Sequence, residues 1–221
     1  MFDFIEVKMI GVTMPVVDYI PDSQGIISHA ARVSNPANQN NYKTANGLLG
    51  YCVREKHWSV FEMANAVMEI KAPRDIARQI LRHGSNKFQE FSQRYALATD
   101  FVLREARLQD HQNRQNSIEV DNTELQEEWN RRQQEVLDLV QEHYNWAVSK
   151  EVGIAKECAR VILPEGNTMS TIYMNGTVRS WYHYADLRDG NGTQKEHIDV
   201  AQKAKKEILK PFPFLEDVWE N

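Results

Sequence analysis

Apolar positions change their spacing several times along the chain, and each spacing predicts an element. Residues 4–14 are mostly apolar, with β-branched members, and stop at Pro15, which predicts a strand. An Ala/Ile/Val pattern over 26–34 predicts a short helix, and the Asn- and Pro-rich stretch 35–41 a loop. Residues 44–56 read as a helix with Leu48, Leu49, Cys52 and Val53 on one face. Residues 61–71 alternate like a strand that Ala72-Pro73 ends. Pro73 suits the first position of a helix running to about His83, with Ile76, Ala77, Ile80 and Leu81 inward and Gly84 as its stop. Residues 88–95 read as extended. Residues 100–123 are polar and rich in Gln and Asn, and predict a long surface loop or a partly helical arm. Over 124–150, Leu125, Trp129, Val136, Val140, Tyr144 and Ala147 recur at helical spacing, which predicts a long amphipathic helix. Further helices are predicted over 154–163, 177–187 and 194–210, with a turn at Asp189-Gly190-Asn191-Gly192. No internal repeat is found. The sum is an α+β chain, rich in helix, expected to form one domain over 1–221.

Composition narrows the class. Of 221 residues, 42% are hydrophobic and 26% charged, values of a soluble globular protein rather than a collagen-like or disordered one. No apolar run approaches the roughly 18 residues of a membrane span, and the first residues do not read as a secretory signal. A cytoplasmic location is expected. The net charge of −5 argues against a nucleic-acid binder and leaves open a small anionic ligand held by a local arginine cluster. Cys52 and Cys158 are expected to be reduced, with Cys158 a small apolar residue on a buried helix face. No dinucleotide fingerprint, phosphate loop, nucleophile elbow or His-x-Glu zinc spacing is present, and no metal site is expected.

Three clusters look chemical. Arg74, Arg78 and Arg82 are spaced by four and share one helix face. They are either a solvated charged face or a phosphate site, since guanidinium forks bind phosphate bidentately. In Phe88-Gln-Glu-Phe-Ser-Gln-Arg-Tyr95, an extended chain puts Glu90, Ser92 and Arg94 on one face. That is either a polar strand face or a binding edge. Arg179 and His183 lie one turn apart on a helix that Arg188 ends, where an arginine also suits the helix dipole. His57 alone reads equally well as a surface histidine.

Taken together, these residues resemble the flavin-dependent thymidylate synthases, the ThyX family. That family carries Arg-His-Arg, seven residues, a serine, then Gly/Gln/Lys-Arg-Tyr; here Arg82-His83-Gly84 precedes seven residues, then Ser92, Gln93, Arg94 and Tyr95. His57-x-Ser59-x-Phe61-Glu62 and Lys71-Ala-Pro73 resemble the segment before the motif. Ala159-Arg160-Val-Ile-Leu-Pro164, Arg179-Ser180 and Asp186-Leu187-Arg188 resemble its second stretch, and the Asn191-to-His197 tail one of its branches.

The resemblance implies methylation of dUMP to dTMP, with methylenetetrahydrofolate supplying the carbon and NADPH reducing a bound FAD. It also implies a homotetramer with shared active sites, built of a mixed sheet packed with helices and a long-helix region. Gln79, Arg82, Arg160 and Arg188 would bind dUMP, with Glu90, Ser92, Gln93 and Arg94 reaching in from a neighbouring subunit. Ser59, Arg82, His83, Gly84, Glu90, Arg179 and His183 would line the FAD site. Arg188 would polarise the uracil and keep its N3 ionised, with Ser92 and His57 the other catalytic candidates. Gly84 departs from the family, which usually has arginine there; Lys87, three residues on, is a candidate replacement for the lost charge. The competing readings are a related deoxyuridylate-modifying flavoenzyme with altered one-carbon chemistry, an inactive nucleotide-binding homologue, and a nucleic-acid module using Arg104, Arg107 and Arg114. No nucleic-acid or membrane partner is expected.

Overall fold

A computed structural model describes residues 1–190 and 192–219, so Asn191 of the predicted turn and tail lies outside the described residues. The elements are β1 (Glu6–Val12), α1 (Ser23–Ala31), α2 (Ala45–Arg54), β2 (Asn65–Pro73), α3 (Arg74–Ile80), β3 (Lys87–Glu90), β4 (Arg107–Gln109), β5 (Ser117–Glu119), α4 (Thr123–Val148), α5 (Lys156–Ala159), β6 (Met169–Thr177), α6 (Val178–Arg188), α7 (Lys195–Leu209) and α8 (Phe214–Trp219). Four strands form a sheet in the order β1-β2-β6-β3, and every neighbouring pair is antiparallel. The expected mixed sheet is therefore corrected to an antiparallel one.

The central strand β6 carried no sequence-based expectation. Its alternation is legible afterwards: Ile172 and Met174 are buried while Tyr173 and Asn175 are exposed. It pairs with β2 from Asn65↔Thr177 to Pro73↔Met169. Ala66, Met68, Ile70 and Ala72 of β2 turn the same way and meet Ile76 and Ile80 of α3, Trp181 and Tyr184 of α6, and Val200, Ala204 and Ile208 of α7 in one core. The Trp181 indole N–H donates to the Ala66 carbonyl at 3.0 Å, so this large ring is buried with its polar atom satisfied.

Both central strands run straight into helices. β2 feeds α3 at Pro73, and β6 feeds α6 at Thr177, whose hydroxyl caps the Ser180 N–H. Because the strands are antiparallel, the helices start at opposite ends of the sheet and run back toward each other. Seven and eleven helical residues rise about 10 and 16 Å, close together to the roughly 30 Å of a nine-residue strand. Their C-terminal ends therefore meet over the sheet.

Several boundaries differ from expectation. Residues 58–62 form a 3-10 turn rather than strand, because Phe61 turns into the core. Only Lys87–Glu90 of 88–95 is strand; residues 93–95 form a turn, so Glu90, Ser92 and Arg94 do not share a strand face. The arm at 100–123 is a β4–β5 ribbon, not a helix. It is tied to α4 by Gln133, whose side-chain amide accepts from the Arg104 N–H at 2.8 Å and donates to the Arg104 carbonyl at 2.7 Å. The buried residues of α4 are Gln133, Leu137, Tyr144 and Ala147; Tyr144 and Ala147 face inward as expected, while Trp129 and Val136 are exposed. The helix expected over 154–163 shrinks to α5 and a 3-10 turn, Arg160–Ile162, which leaves Cys158 exposed rather than buried; Cys52 is buried, and both thiols are free. Pro73 caps α3 instead of opening it, and Gly84 is not its stop, since it lies outside the left-handed region. Among the described residues no helix is long and apolar enough to cross a membrane.

Gly176 is required by space. A Cβ there would lie 1.9 Å from the Oδ1 of Asn86, which is itself 3% exposed and has little room to move. Gly176→Ala is expected to cost about 1–3 kcal/mol by overpacking, measured by urea denaturation. The penalty should shrink in the Asn86→Ala background, and strict additivity of the two substitutions would refute the clash.

Candidate active site

Three groups of sequence-nominated residues are assembled separately. The first sits where α3 and α6 end and α7 begins. Arg188 donates from Nε to His83 Nε2 at 2.9 Å, and the His83 ring packs edge-on against Tyr184, 4.8 Å between centroids. Burial, then the neighbouring Arg188 charge, lowers the His83 pKa from 6.5 to about 4. His83 is therefore neutral near pH 7. Accepting at Nε2 fixes its proton on Nδ1. Only that Nδ1–H remains for a ligand. Arg82, two residues past α3, is exposed and forms no ion pair among the described residues. Gln79 is half-buried beside them.

The second group flanks α6. The Trp58–Glu62 turn faces this helix, so that Trp58 packs against His183 at 4.4 Å and against Tyr182 at 5.1 Å. Arg179 pairs with Glu62 at 3.0 Å. Partial burial, then Arg179, lowers the His183 pKa. Ser59 and His57 are exposed on the same turn and its N-cap, His57 lying edge-on to Tyr51 at 6.0 Å. Gly84 has no atom within 4 Å of where a Cβ would be, so neither space nor backbone conformation demands glycine there. Lys87 is exposed at the start of β3.

The third group gathers around Glu90. Its carboxylate accepts from Arg78 at 2.6 Å, from Arg74 at 3.2 Å and from Ser170 at 3.0 Å. Arg78 also reaches Glu165 at 3.5 Å. The arginine row of α3 thus divides: Arg74 and Arg78 are neutralised, and Arg82 is not. Burial is the main cause lowering the Arg74 pKa, with Arg78 and Arg160 adding repulsion. Ser92 Oγ accepts from the Arg94 N–H, and Arg94 pairs with Glu157 at 3.0 Å. Gln93 is buried with its Nε2 lacking a partner. Arg160 is half-buried and forms no ion pair among the described residues. No hydrogen bond or ion pair described joins this third group to Arg188.

Some site residues escaped the sequence reading. His197, fully buried, contacts Gln79 at 3.2 Å, and Gln79 donates to Gln194 at 2.7 Å. Glu196, also fully buried, accepts from Arg107 at 2.9 Å and pairs with Arg104 at 3.0 Å. Arg104 and Arg107 are therefore spent internally and do not form a basic strip. The tail motif contained Gln194, Glu196 and His197, but nothing in the pattern distinguished them from the polar face of a helix.

A family model described as thymidylate synthase complementing protein matches residues 15–214. The chain is 52% identical over 209 residues to the probable flavin-dependent thymidylate synthase of Paramecium bursaria Chlorella virus 1, covering 94% of this chain and 95% of that one. It belongs to the flavin-dependent thymidylate synthase family. Another member, the flavin-dependent thymidylate synthase of Synechocystis sp., is 47% identical over 212 residues, covering 95% of this chain and 96% of that relative. The fold of the family is matched by the crystal structure of a UMP/dUMP methylase, PolB, from Streptomyces cacaoi bound with 5-Br dUMP, with a TM-score of 0.76 over 98% of this chain and 94% of that one at 24% identity.

The buried rings set a pH dependence. Burial, then Arg188 and His83, lowers the His197 pKa to about 3. Each ring takes a proton near pH 6.5 when unfolded but only near pH 4 (His83) or pH 3 (His197) when folded. Between those limits the unfolded chain binds more protons, so stability falls as pH drops below 6.5, by up to about 1.4 kcal/mol per pH unit for each histidine. Urea midpoints at pH 7.5, 6 and 5 should show the loss, with a shallower slope in His197→Asn. Equal slopes in the two proteins would remove His197 from this account.

Proposed function

We propose that this chain, working as one domain, methylates dUMP to dTMP with methylenetetrahydrofolate as carbon donor and FAD carrying hydride from NADPH. The observation that carries the reading is Arg188 bonded to a neutral His83, next in sequence to an exposed Arg82 that has no carboxylate partner among the described residues, in a chain of net charge −5. That donor set fits phosphate and uracil oxygens.

A bound flavin supplies the two-electron redox chemistry. Ser59, Arg82, His83, Gly84, Arg179 and His183 would hold it, with the Trp58–His183 pair as an aromatic wall. Arg188, gripped through Nε by His83, keeps its terminal N–H donors for the uracil. There a permanent cation favours the ionised N3 and stabilises charge on the ring oxygens, as an oxyanion hole does. Gln79 and Arg160 would contact dUMP. His57, exposed, would help position folate. Cytoplasmic location is part of this reading and rests on the substrate's chemistry.

Glu90, Ser92, Gln93 and Arg94 would serve a neighbouring subunit's Arg188. Among the described residues they make no hydrogen bond or ion pair with Arg188 of the same chain, which fits a shared site, and the exposed Trp129, Val136, Leu139 and Trp146 of α4 support an apolar subunit contact. The homotetramer is part of this proposal.

Purified protein given FAD should show a flavin absorption band that NADPH bleaches. With dUMP and methylenetetrahydrofolate added, mass spectrometry should find dTMP. No flavin band would overturn the reading, and a product with a different one-carbon substituent would replace it with the altered-chemistry alternative.

A Cβ at Gly84 meets no atom within 4 Å and the backbone does not demand glycine, so Gly84→Arg would, in this reading, place a cation beside the flavin. FAD affinity is expected to rise about tenfold, the scale of one charge-assisted hydrogen bond. A fluorescence titration giving equal or weaker affinity would show that this position does not face the cofactor.

A further inference from the structure

His197 has no place in the reading above, yet it is fully buried and bonded to a residue assigned to the nucleotide. It starts a chain of side chains. His197 Nδ1 lies 3.2 Å from Gln79 Oε1; Gln79 Nε2 donates to Gln194 Oε1 at 2.7 Å; Gln194 Nε2 donates to Asp75 Oδ2 at 3.5 Å. Asp75 accepts from Arg104 Nη1 at 3.0 Å through its other oxygen. Arg104 is held in turn by the buried Glu196 and by the Gly166 carbonyl at 2.7 Å.

A glutamine amide can point either way, so such a chain needs an end that sets its direction. Asp75 is that end. Its carboxylate, ion-paired with Arg104, can only accept. Gln194 must therefore turn its amino group to Asp75 and its carbonyl to Gln79. Gln79 must then turn its amino group to Gln194 and its carbonyl to His197. The imidazole must meet that carbonyl with a proton on Nδ1, which leaves His197 Nε2 deprotonated, consistent with its lack of a partner. The opposite tautomer would set two acceptors against each other.

We propose that His197 is a positioning residue that fixes the orientation of the Gln79 amide, with Asp75 and Arg104 anchoring the chain from the far end. One Gln79 N–H and one carbonyl lone pair are then left, in a fixed order, for the nucleotide. The proposal rests on the assignment of Gln79 to dUMP. It gives the β4–β5 arm a role in the site, since Arg104 belongs to the arm and touches no proposed ligand. His197 would shape recognition of the pyrimidine nucleotide without contacting it.

Two measurements test this. Long-range proton–nitrogen NMR of the FAD-loaded protein, labelled with 15N-histidine, should show His197 as the neutral Nδ1–H tautomer; the Nε2–H tautomer would overturn the proposal. Calorimetric dUMP affinity should then separate three variants. Asparagine places an amide N–H where Nδ1 stands, glutamine places one nearer Nε2, and phenylalanine offers neither. His197→Phe and His197→Gln should each weaken dUMP binding about tenfold, the effect of one misdirected hydrogen bond. His197→Asn should stay within about threefold, and all three should retain FAD. Equal losses in His197→Asn and His197→Phe, or no loss in any variant, would overturn the positioning role. If a variant fails to fold, the tautomer of the unmodified protein still decides. If the unmodified protein binds FAD but no dUMP, the assignment of Gln79 fails while the tautomer still tests the chain's direction.

Discussion

Antiparallel pairing of β2 with β6, in register from Asn65↔Thr177 to Pro73↔Met169, decides where the two following helices begin. Since α3 and α6 leave opposite ends of the sheet, they converge, and their lengths let them meet without a gap or a clash. Arg188 and His83 are neighbours for that reason, although 105 positions separate them. α7 adds His197 from a third direction. A slip of β6 by one residue against β2 would turn Ile172 and Met174 out of the core while Met68 and Ile70 stayed in it, so burial holds the register that holds the site.

Electrostatics then sorts the arginines. Two buried or nearly buried carboxylates each take two of them, Glu90 with Arg74 and Arg78, Glu196 with Arg104 and Arg107. Burying a lone carboxylate is costly, and paired arginines with good geometry offset that cost. These pairs tie the arm to α7 and the α3 row to β3. Arg82, Arg160 and Arg188 are among the arginines that form no ion pair among the described residues. A net acidic protein thus retains local binding sites for anions.

Neutral histidine is the complement of those cations. His83 and His197 sit close to Arg188, and their low pKa values follow from burial and from that charge. An imidazolium beside a guanidinium would repel it; a neutral ring accepts from it and holds it still. The same surroundings that remove the proton give each ring a fixed tautomer and hence a direction.

The linear sequence sufficed for the helices with long apolar periods, α4, α6 and α7, for β1 and most of β2, and for Arg82, Ser92, Arg94 and Arg188 as a motif. Local spacing and residue chemistry are written in order along the chain. It did not reveal β6, a nine-residue strand whose alternation gains meaning only once β2 and β3 pair with it, nor the ribbon at 107–119, because three-residue strands are stabilised by their partners rather than by local pattern. It presented Arg74, Arg78 and Arg82 as equals; only folding brought Glu90 and Glu165 to two of them. It gave Gln194, Glu196 and His197 no distinction from a helix surface, because burial and hydrogen-bond direction arise only when α7 packs against α3 and α6. Which groups are charged, neutral or oriented is a property of neighbours, and those neighbours are supplied by the tertiary fold.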